Sequence, residues 1–416
     1  MGIRSLTWTS SRTGRWCSRS PGRARRAASN TDSEATGCTN IGAEAPQTQA
    51  ARNPRQKSSD VSSRSDPIPL LTGSDPIQEA NPQPGTLMAA STVEASLGFG
   101  SVPLLVYFYG RHPDLRLTTF SPADQSLRTG VVPELTENNS HVTPQGWVFL
   151  HEPDTRRARL WDPRSGDTVA LPPTDDDLPE SRKCCISAAP TAAAPCVVVI
   201  LHLAEPRLLY CRVGDSRWTA HGYDIGCVDL PYPPPKRRVI REAAAMGGKF
   251  YFLEMGKLGA IDFSSSSPEP ALSFLDYPLI GFPDASSCAL PYLVVSRGEL
   301  FMVNIYFKDV TPEVLTMRVH RFGDLSGPTA TLTELHDLGD RAFLLSDSNE
   351  QLLCSASKYG IKGNRVYAML NVLSEPNGGF MCIYDMDDQS VETVQPCQDM
   401  KDLMSDPFWV LPTDSV

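Results

Sequence analysis

The chain has 416 residues, 41% of them hydrophobic, and a formal net charge of −10, which suits a protein with a sizeable buried core. Residues 1–90 hold 11 Lys and Arg against 7 Asp and Glu, which leaves 27 against 41 and a net charge of −14 for residues 91–416. This acidic balance argues against nucleic-acid binding, and no apolar run approaches the roughly 20 residues of a transmembrane helix, so we expect neither a nucleic-acid nor a membrane partner.

The N-terminal segment is basic and rich in serine. The stretch 1–27 contains seven arginines, five serines and no acidic side chain, a composition typical of organelle transit peptides. A cleavable organelle address, an extension without function and a basic interaction arm all fit this composition. The localisation that we predict is therefore cytoplasmic or nuclear, with organelle targeting by residues 1–27 left open.

Residues 28–84 are dominated by Ser, Thr, Asn, Gln, Pro and Ala, and Trp8 and Trp16 are the only aromatic residues before Phe99. So little apolar area cannot offset the entropy lost when about 90 residues become ordered. We therefore predict that residues 1–90 are disordered and that residues 91–416 form the folded domain.

From about residue 100 the chain alternates short apolar runs with turn residues, which predicts an all-β domain. The predicted strands, in chain order, are Leu104–Tyr109, Gly146–Leu150, Ala158–Trp161, Cys196–Leu203, Arg207–Arg212, Trp218–Tyr223, Lys249–Glu254, Lys257–Phe263, Tyr292–Ser296, Glu299–Phe307, Leu315–Arg321, Ala342–Leu345, Arg365–Leu370 and Phe380–Met386. A run from Arg159 to Pro173 adds a hairpin, with a second strand over Thr168–Leu171.

Similar segments recur along this domain. They begin near Pro103, Trp147, Cys196, Lys249, Glu299 and Arg365. Most of the intervals between them are close to the roughly 40–50 residues of a β-propeller blade, and the last interval, before Arg365, is longer. Blades of three or four strands bury their faces only by stacking in a ring. We predict a β-propeller of about six blades, with an irregular pair of β-sandwiches as the alternative.

Several of these segments together resemble a known family. They are Leu160-Trp161-Asp162-Pro163 with Gly166, Leu171-Pro172-Pro173, Lys183-Cys184, Cys211-Arg212-Val213-Gly214-Asp215, Gly248-Lys249-Phe250-Tyr251, Tyr292-Leu293-Val294-Val295-Ser296, Leu338-Gly339-Asp340-Arg341, Gly363-Asn364-Arg365-Val366-Tyr367 and Phe408-Trp409-Val410-Leu411-Pro412. Over residues 100–412 the chain resembles the plant KIB-type β-propeller family (domain of unknown function 295). Its members commonly carry an N-terminal F-box that docks on a Skp1-type adaptor.

The resemblance implies a role in protein recognition. Residues 1–100 contain no Leu-Pro start followed by apolar residues at helical spacing, so no F-box is recognisable there. We therefore predict a non-catalytic protein–protein interaction module that acts as a monomer. The alternative is a substrate receptor of a Skp1-cullin-F-box ubiquitin ligase whose adaptor-binding segment is cryptic or missing from the gene model.

No residues stand out as a catalytic, cofactor or metal site. The seven histidines are scattered, the eleven cysteines lack zinc-ligand spacing, and no P-loop or nucleophile elbow is present. We therefore predict no enzymatic activity, no cofactor and no metal. Binding residues cannot be assigned from the sequence. The cysteines are interpreted as reduced structural thiols.

Four polar groups are interpreted as structural. His151 with Glu152 and Asp154 is interpreted as a turn after a strand rather than as an acid–base site. His202 is interpreted as a histidine within a blade. Asp175-Asp176-Asp177 with Glu180 is interpreted as a solvated loop, and Pro233-Pro234-Pro235-Lys236-Arg237-Arg238 as a stiff basic loop.

Overall fold

A computed structural model of the chain describes residues 97–412, apart from 112–113, 144, 176, 191–195, 229–235, 255, 265–268, 310, 348–351, 373–374, 376, 398–399 and 401–402, together with two short N-terminal strands. These strands are β1 (Trp8–Ser10) and β2 (Trp16–Ser18), which pair with each other. Both fall in the segment predicted to be disordered; the rest of residues 1–90, to which the disorder and targeting predictions apply, lies outside the described residues.

The remaining strands form six blades. Blade 1 contains β29 (Phe408–Val410), β3 (Leu104–Tyr109), β4 (Arg116–Phe120) and β5 (Leu127–Gly130); blade 2 contains β6 (Asn139–Val142), β7 (Val148–His151), β8 (Ala158–Trp161) and β9 (Thr168–Leu171). Blade 3 contains β10 (Arg182–Ile186), β11 (Val197–His202), β12 (Arg207–Arg212) and β13 (Thr219–Gly222); blade 4 contains β16 (Ala244–Met246), β17 (Lys249–Glu254), β18 (Lys257–Asp262) and β19 (Ala271–Asp276).

The last two blades are larger. Blade 5 contains β20 (Ser286–Ser296), β21 (Glu299–Lys308), β22 (Val314–Phe322) and β23 (Leu332–Leu335), and β2 pairs with the beginning of β20. Blade 6 contains β25 (Leu352–Ser355), β24 (Arg341–Ser346), β26 (Arg365–Leu370), β27 (Phe380–Asp385) and β28 (Val391–Val394). A separate hairpin is formed by β14 (Cys227–Val228) and β15 (Lys236–Arg237), and the two single-turn helices are α1 (Pro133–Thr136) and α2 (Ala356–Tyr359).

The ring is closed by its chain ends. β29, the last strand, pairs antiparallel with β3, so that Phe408 lies opposite Val106 and Val410 opposite Leu104. The first blade therefore takes its inner strand from the C-terminal end and its other three strands from the beginning of the domain. This closure removes a free edge that an open array of blades would expose.

Both faces of each blade are apolar because each blade lies between two others. In β3, Leu104, Val106 and Phe108 pack towards blade 2, whereas Leu105 and Tyr107 pack towards blade 6. Successive side chains of a strand point to opposite faces, which explains why the second strands of the blades read as continuous apolar runs rather than alternating ones. Within the described residues, six hydrophobic clusters fill the six boundaries between neighbouring blades.

The prediction of an all-β propeller of six blades is confirmed. The six repeated segments that revealed the period coincide with the second strand of each blade, β3, β7, β11, β17, β21 and β26. The long interval before Arg365 has a structural cause, because blade 6 inserts the β24–β25 hairpin and α2 before its second strand. No helix among the described residues is long and apolar enough to cross a membrane.

Blade 6 departs from the pattern of the others. Its strand β24 runs parallel to β26, whereas the inner strands of the other five blades are antiparallel to their neighbours. β24 thus runs opposite to the other inner strands. Its carboxyl end, at Ser346, therefore lies at the end of the ring where the other inner strands begin.

Candidate functional site

Polar side chains from five blades gather towards one end of the ring, where the inner strands of blades 1 to 5 begin. Glu242, Tyr292 and Asp406 lie at the same offset from the last residue of their inner strands β16, β20 and β29. Each residue lies four positions before the end of its strand. The three side chains therefore occupy corresponding positions in blades 4, 5 and 1. Lys183 from β10 and Asp347, which follows β24, join them. We call Lys183, Glu242, Tyr292, Asp347 and Asp406 the inner-strand cluster.

An ion pair joins blades 3 and 4 within this cluster. The Nζ atom of Lys183 lies 3.0 Å from Oε1 of Glu242, and the two side chains are 17% and 39% exposed, so solvent reaches the pair. Burial opposes the charge on Lys183, but the carboxylates of Glu242 and Asp347 outweigh it and raise the pKa of Lys183 above its usual value. Lys183 is therefore a stable cation at this position.

A hydrogen bond joins blades 5 and 6. The Tyr292 hydroxyl donates to Oδ1 of Asp347 at 2.7 Å. Burial, reinforced by the negative charges of Glu242 and Asp406, raises the pKa of Asp347 to about 6, although the Tyr292 hydrogen bond and Lys183 act in the opposite direction. Burial and the nearby Asp347 also raise the pKa of Tyr292 well above its usual value. Ionisation of Asp347 is therefore less favourable than that of an ordinary aspartate.

Two further groups border the cluster. The amide Nδ2 of Asn371 donates to Oδ1 of Asp406 at 2.9 Å. On the other side, burial and then the cations Arg182 and Lys183 lower the pKa of His141 to about 3, which keeps this imidazole neutral. All six blades thus contribute a titratable side chain, and five of these side chains form the inner-strand cluster.

The raised pKa of Asp347 predicts a pH-dependent stability. Below about pH 4 this carboxyl is protonated in both the folded and the unfolded chain; from about pH 4 to 6 the unfolded chain loses the proton while the folded chain keeps it. Its contribution to the free energy of unfolding therefore falls as the pH rises to 6. The variant Asp347→Asn keeps an acceptor for Tyr292 and removes this loss.

Urea unfolding of the wild type and of Asp347→Asn at pH 4, 5, 6 and 7 measures this effect. We expect the two proteins to have equal stability near pH 4 and the variant to become the more stable one by pH 7. A constant difference across this range would contradict the assigned pKa.

Exposed apolar side chains surround the same end of the ring. The segments that lead from an outer strand to the next inner strand lie there: residues 131–138, 172–181, 223–243, 277–285 and 395–407. We call their described parts the connection face. Leu279 is 86% exposed, Met404 56% and Val131 48%. Large side chains this exposed are a feature of interaction sites when they lie near one another.

The histidines singled out in the sequence lie at the ends of strands. His151 is buried at the end of β7, where Nε2 lies 3.1 Å from Thr174 Oγ1, while Glu152 and Asp154 lie in the following turn. His202 accepts hydrogen bonds at Nδ1 from the backbone N–H groups of Ala204 and Glu205, both at 3.1 Å. His151 therefore ends the strand that precedes the predicted turn, and His202 ends β11 in blade 3.

The structure also shows where the predicted acidic and basic loops lie. Asp175 is exposed, and Asp177 lies 3.4 Å from Arg156, which fits a solvated loop; Asp176 lies outside the described residues. The predicted basic loop is partly wrong, because Lys236 and Arg237 form β15; Pro233-Pro234-Pro235 lie outside the described residues.

Nine cysteines have thiol side chains in the part of the chain that the structure describes. Eight are buried and Cys227 is exposed. Burial raises the pKa of Cys196, Cys382 and Cys397 to about 11 and that of Cys354 to about 12. Thiols with raised pKa values are poor nucleophiles, which agrees with a structural role.

The sequence did not single out the inner-strand cluster. Lys183 and Tyr292 entered only as parts of family-like segments, and Glu242, Asp347 and Asp406 did not stand out. A usable signal exists in the sequence: a polar residue four positions before the end of an inner strand, repeated in blades 1, 4 and 5. Recognising it requires the inner strands to be assigned, and four of them, β6, β10, β16 and β29, were missed.

The chain shows low similarity to several solved structures. It is 9% identical to a nidogen/laminin complex, with a TM-score of 0.35, over 75% of this chain and 99% of that chain. It is 10% identical to a putative 6-phosphogluconolactonase from Bacteroides fragilis, with a TM-score of 0.32, over 79% of this chain and 100% of that chain. It is 12% identical to TolB from Acinetobacter baumannii, with a TM-score of 0.37, over 79% of this chain and 74% of that chain. No curated protein sequence matches the chain. The model of the KIB1-4 beta-propeller family matches residues 119–385, which is more than half of the chain. The chain therefore belongs to the KIB1-4 beta-propeller family.

Proposed function

We propose that the protein is a non-catalytic interaction module that binds another protein through the connection face. The observation that carries this proposal is the exposure of Leu279 and Met404 on this face, at the same end of the ring as the solvent-accessible inner-strand cluster. Apolar side chains surrounded by polar groups are the usual anatomy of a recognition site. Loops held by a closed ring of blades form a rigid platform for them.

The chemistry of the cluster supports a binding role rather than a catalytic one. A nucleophile is usually activated by a lowered pKa or an adjacent base. Here the pKa of Lys183 is raised, that of Tyr292 is raised, and His141 is neutral with a pKa of about 3. We further propose that the ring acts as a monomer, since the β29–β3 pairing already closes it.

The double variant Leu279→Asp/Met404→Asp tests this function. Full-length wild type and variant are used as baits in plant cell extract, and bound proteins are quantified by mass spectrometry. We expect specific partners to fall at least about tenfold on the variant, because losing central apolar contacts typically costs more than about 1.4 kcal/mol.

Leu127→Asp is the matched control, because Leu127 is 51% exposed at the start of β5, at the opposite end of the ring. Both variants should keep the wild-type melting temperature within a few degrees, since all three side chains are exposed. Equal recovery of partners by wild type and by the double variant would contradict the use of the connection face.

A further inference from the structure

We propose that the inner-strand cluster is the site that receives one arginine or lysine side chain from the bound protein. This inference rests on the proposed interaction function and adds the chemistry of the partner to it. The charge balance of the cluster, the partners of its carboxylates and its accessibility all support it.

The charge balance of the cluster is negative. Three carboxylates, Glu242, Asp347 and Asp406, face one cation, Lys183, which lies 3.0 Å from Glu242. Glu242 and Asp406 both act on the half-buried Asp347 and help to raise its pKa. A further positive charge placed here would be attracted by all three carboxylates.

Two carboxylates accept hydrogen bonds only from uncharged groups among the described residues. Asp347 accepts from the Tyr292 hydroxyl, and Asp406 accepts from the Asn371 amide. A carboxylate has about four acceptor positions, so each keeps capacity for a charged donor. A cation that bridged these two groups would use this capacity through charge-assisted hydrogen bonds.

The cluster is open to a side chain that comes from outside. Asp406 is exposed and Glu242 is 39% exposed. Met404 closely precedes Asp406 in the chain, and Leu279 lies on the connection that leads into β20, the strand of Tyr292. A basic residue with an apolar neighbour would therefore find an acceptor and exposed apolar side chains at the same end of the ring.

A divalent metal fits this cluster less well than a basic side chain. Calcium needs six to eight oxygen ligands, and the Lys183 ammonium at Glu242 would repel a second cation of high charge density. The described residues contain no group of three or more side chains placed to hold a metal ion. Arginine fits best, because its planar guanidinium can bond two carboxylates at once and is weakly hydrated.

Binding of defined peptide libraries to the full-length protein tests the inference. Each library consists of octapeptides with one fixed central residue and random uncharged residues elsewhere. We expect the arginine library to bind at least about tenfold more tightly than the library with citrulline, which has the shape of arginine without its charge. Lysine should likewise exceed acetyl-lysine.

Substitutions then locate the preference. Asp347→Asn/Asp406→Asn should abolish the advantage of arginine over citrulline. Asp114→Asn/Asp154→Asn is the matched control: it changes the net charge equally, at exposed turns of the same end of the ring, and should keep that advantage.

The remaining outcomes would overturn the inference. Equal binding of the arginine and citrulline libraries would do so while leaving the interaction function intact, since peptides would still bind. Absence of binding by every library would also overturn it, and the interaction function would then be judged by the Leu279→Asp/Met404→Asp comparison alone. Retention of the arginine preference by Asp347→Asn/Asp406→Asn would place the basic side chain elsewhere.

Discussion

Replacement of Trp409 by alanine is expected to reduce the free energy of unfolding by about 3–5 kcal/mol, the cost of emptying a large aromatic site in a core. Trp409 is completely buried between blades 1 and 6, and its indole Nε1 donates to the carbonyl of Leu345 at 2.9 Å. It lies in β29, whose residues provide the strand pairing that closes the ring. The variant therefore loses the side chain that anchors β29, the closing strand, against blade 6.

The location of the damage distinguishes ring opening from a general loss of core. Hydrogen exchange should show that Trp409→Ala loses protection in β29 and β3 before the other blades. Trp218→Ala is the matched control: Trp218 is also buried, donates to the Pro172 carbonyl at 2.8 Å and lies at the boundary of blades 2 and 3.

The control should lower stability while β29 stays protected, and Trp409→Phe should lose less than Trp409→Ala. Unchanged protection of β3 in Trp409→Ala would show that β29 does not close the ring.

The sequence predicted the fold through the second strand of each blade. This strand lies between two others in its own blade and between two neighbouring blades, so it is apolar on both faces and stands out, as in Leu104–Tyr109 and Lys249–Glu254. All fourteen predicted strands exist, five of them with the predicted ends. The outer strands were harder to see: β5 and β28, for example, contain mostly polar, partly exposed residues.

The unpredicted parts depend on contacts distant in the sequence. β29 is a very short strand, and its pairing with β3 joins the two ends of the propeller's sequence. No local pattern predicts the reversed direction of β24, because the apolar run Ala342–Leu345 does not indicate in which direction the strand runs. The inner-strand cluster depends on both features, because Asp406 precedes β29 and Asp347 follows β24.

The stretch from Arg159 to Pro173 contains the second large prediction. Its Asp162 and Arg164 form an ion pair whose side chains are only 5% and 3% exposed. Asp162 Oδ1 accepts from the backbone N–H of Arg164 at 2.9 Å and from its Nε at 2.6 Å, and Oδ2 accepts from Nη2 at 2.8 Å. The same Nη2 of Arg164 donates a hydrogen bond to the carbonyl oxygen of Gln145 at 3.1 Å. Nη1 donates to the carbonyl oxygen of Leu411 at 3.5 Å.

This guanidinium therefore connects the β8–β9 turn of blade 2 with the chain just after β29. Gly146 makes room for it: its φ is +77°, and a Cβ at this position would lie 2.5 Å from Nη1 of Arg164. The conspicuous turn sequence is thus explained by a structural role in the closed ring, and it need not contribute to binding.

Arg164→Ala is expected to destabilise the protein by about 3–5 kcal/mol, because it leaves the buried carboxylate of Asp162 without its cation. Asp162→Asn/Arg164→Met removes both charges and should lose less than Arg164→Ala alone, which separates the cost of an unpaired charge from that of lost packing. Urea unfolding at pH 7 gives these differences, with the exposed Arg157→Ala as a control that should change stability by less than about 0.5 kcal/mol. If Arg164→Ala lay within about 1 kcal/mol of the wild type, or the double variant lost more than the single one, the buried pair would not be what fixes this turn to the end of the chain.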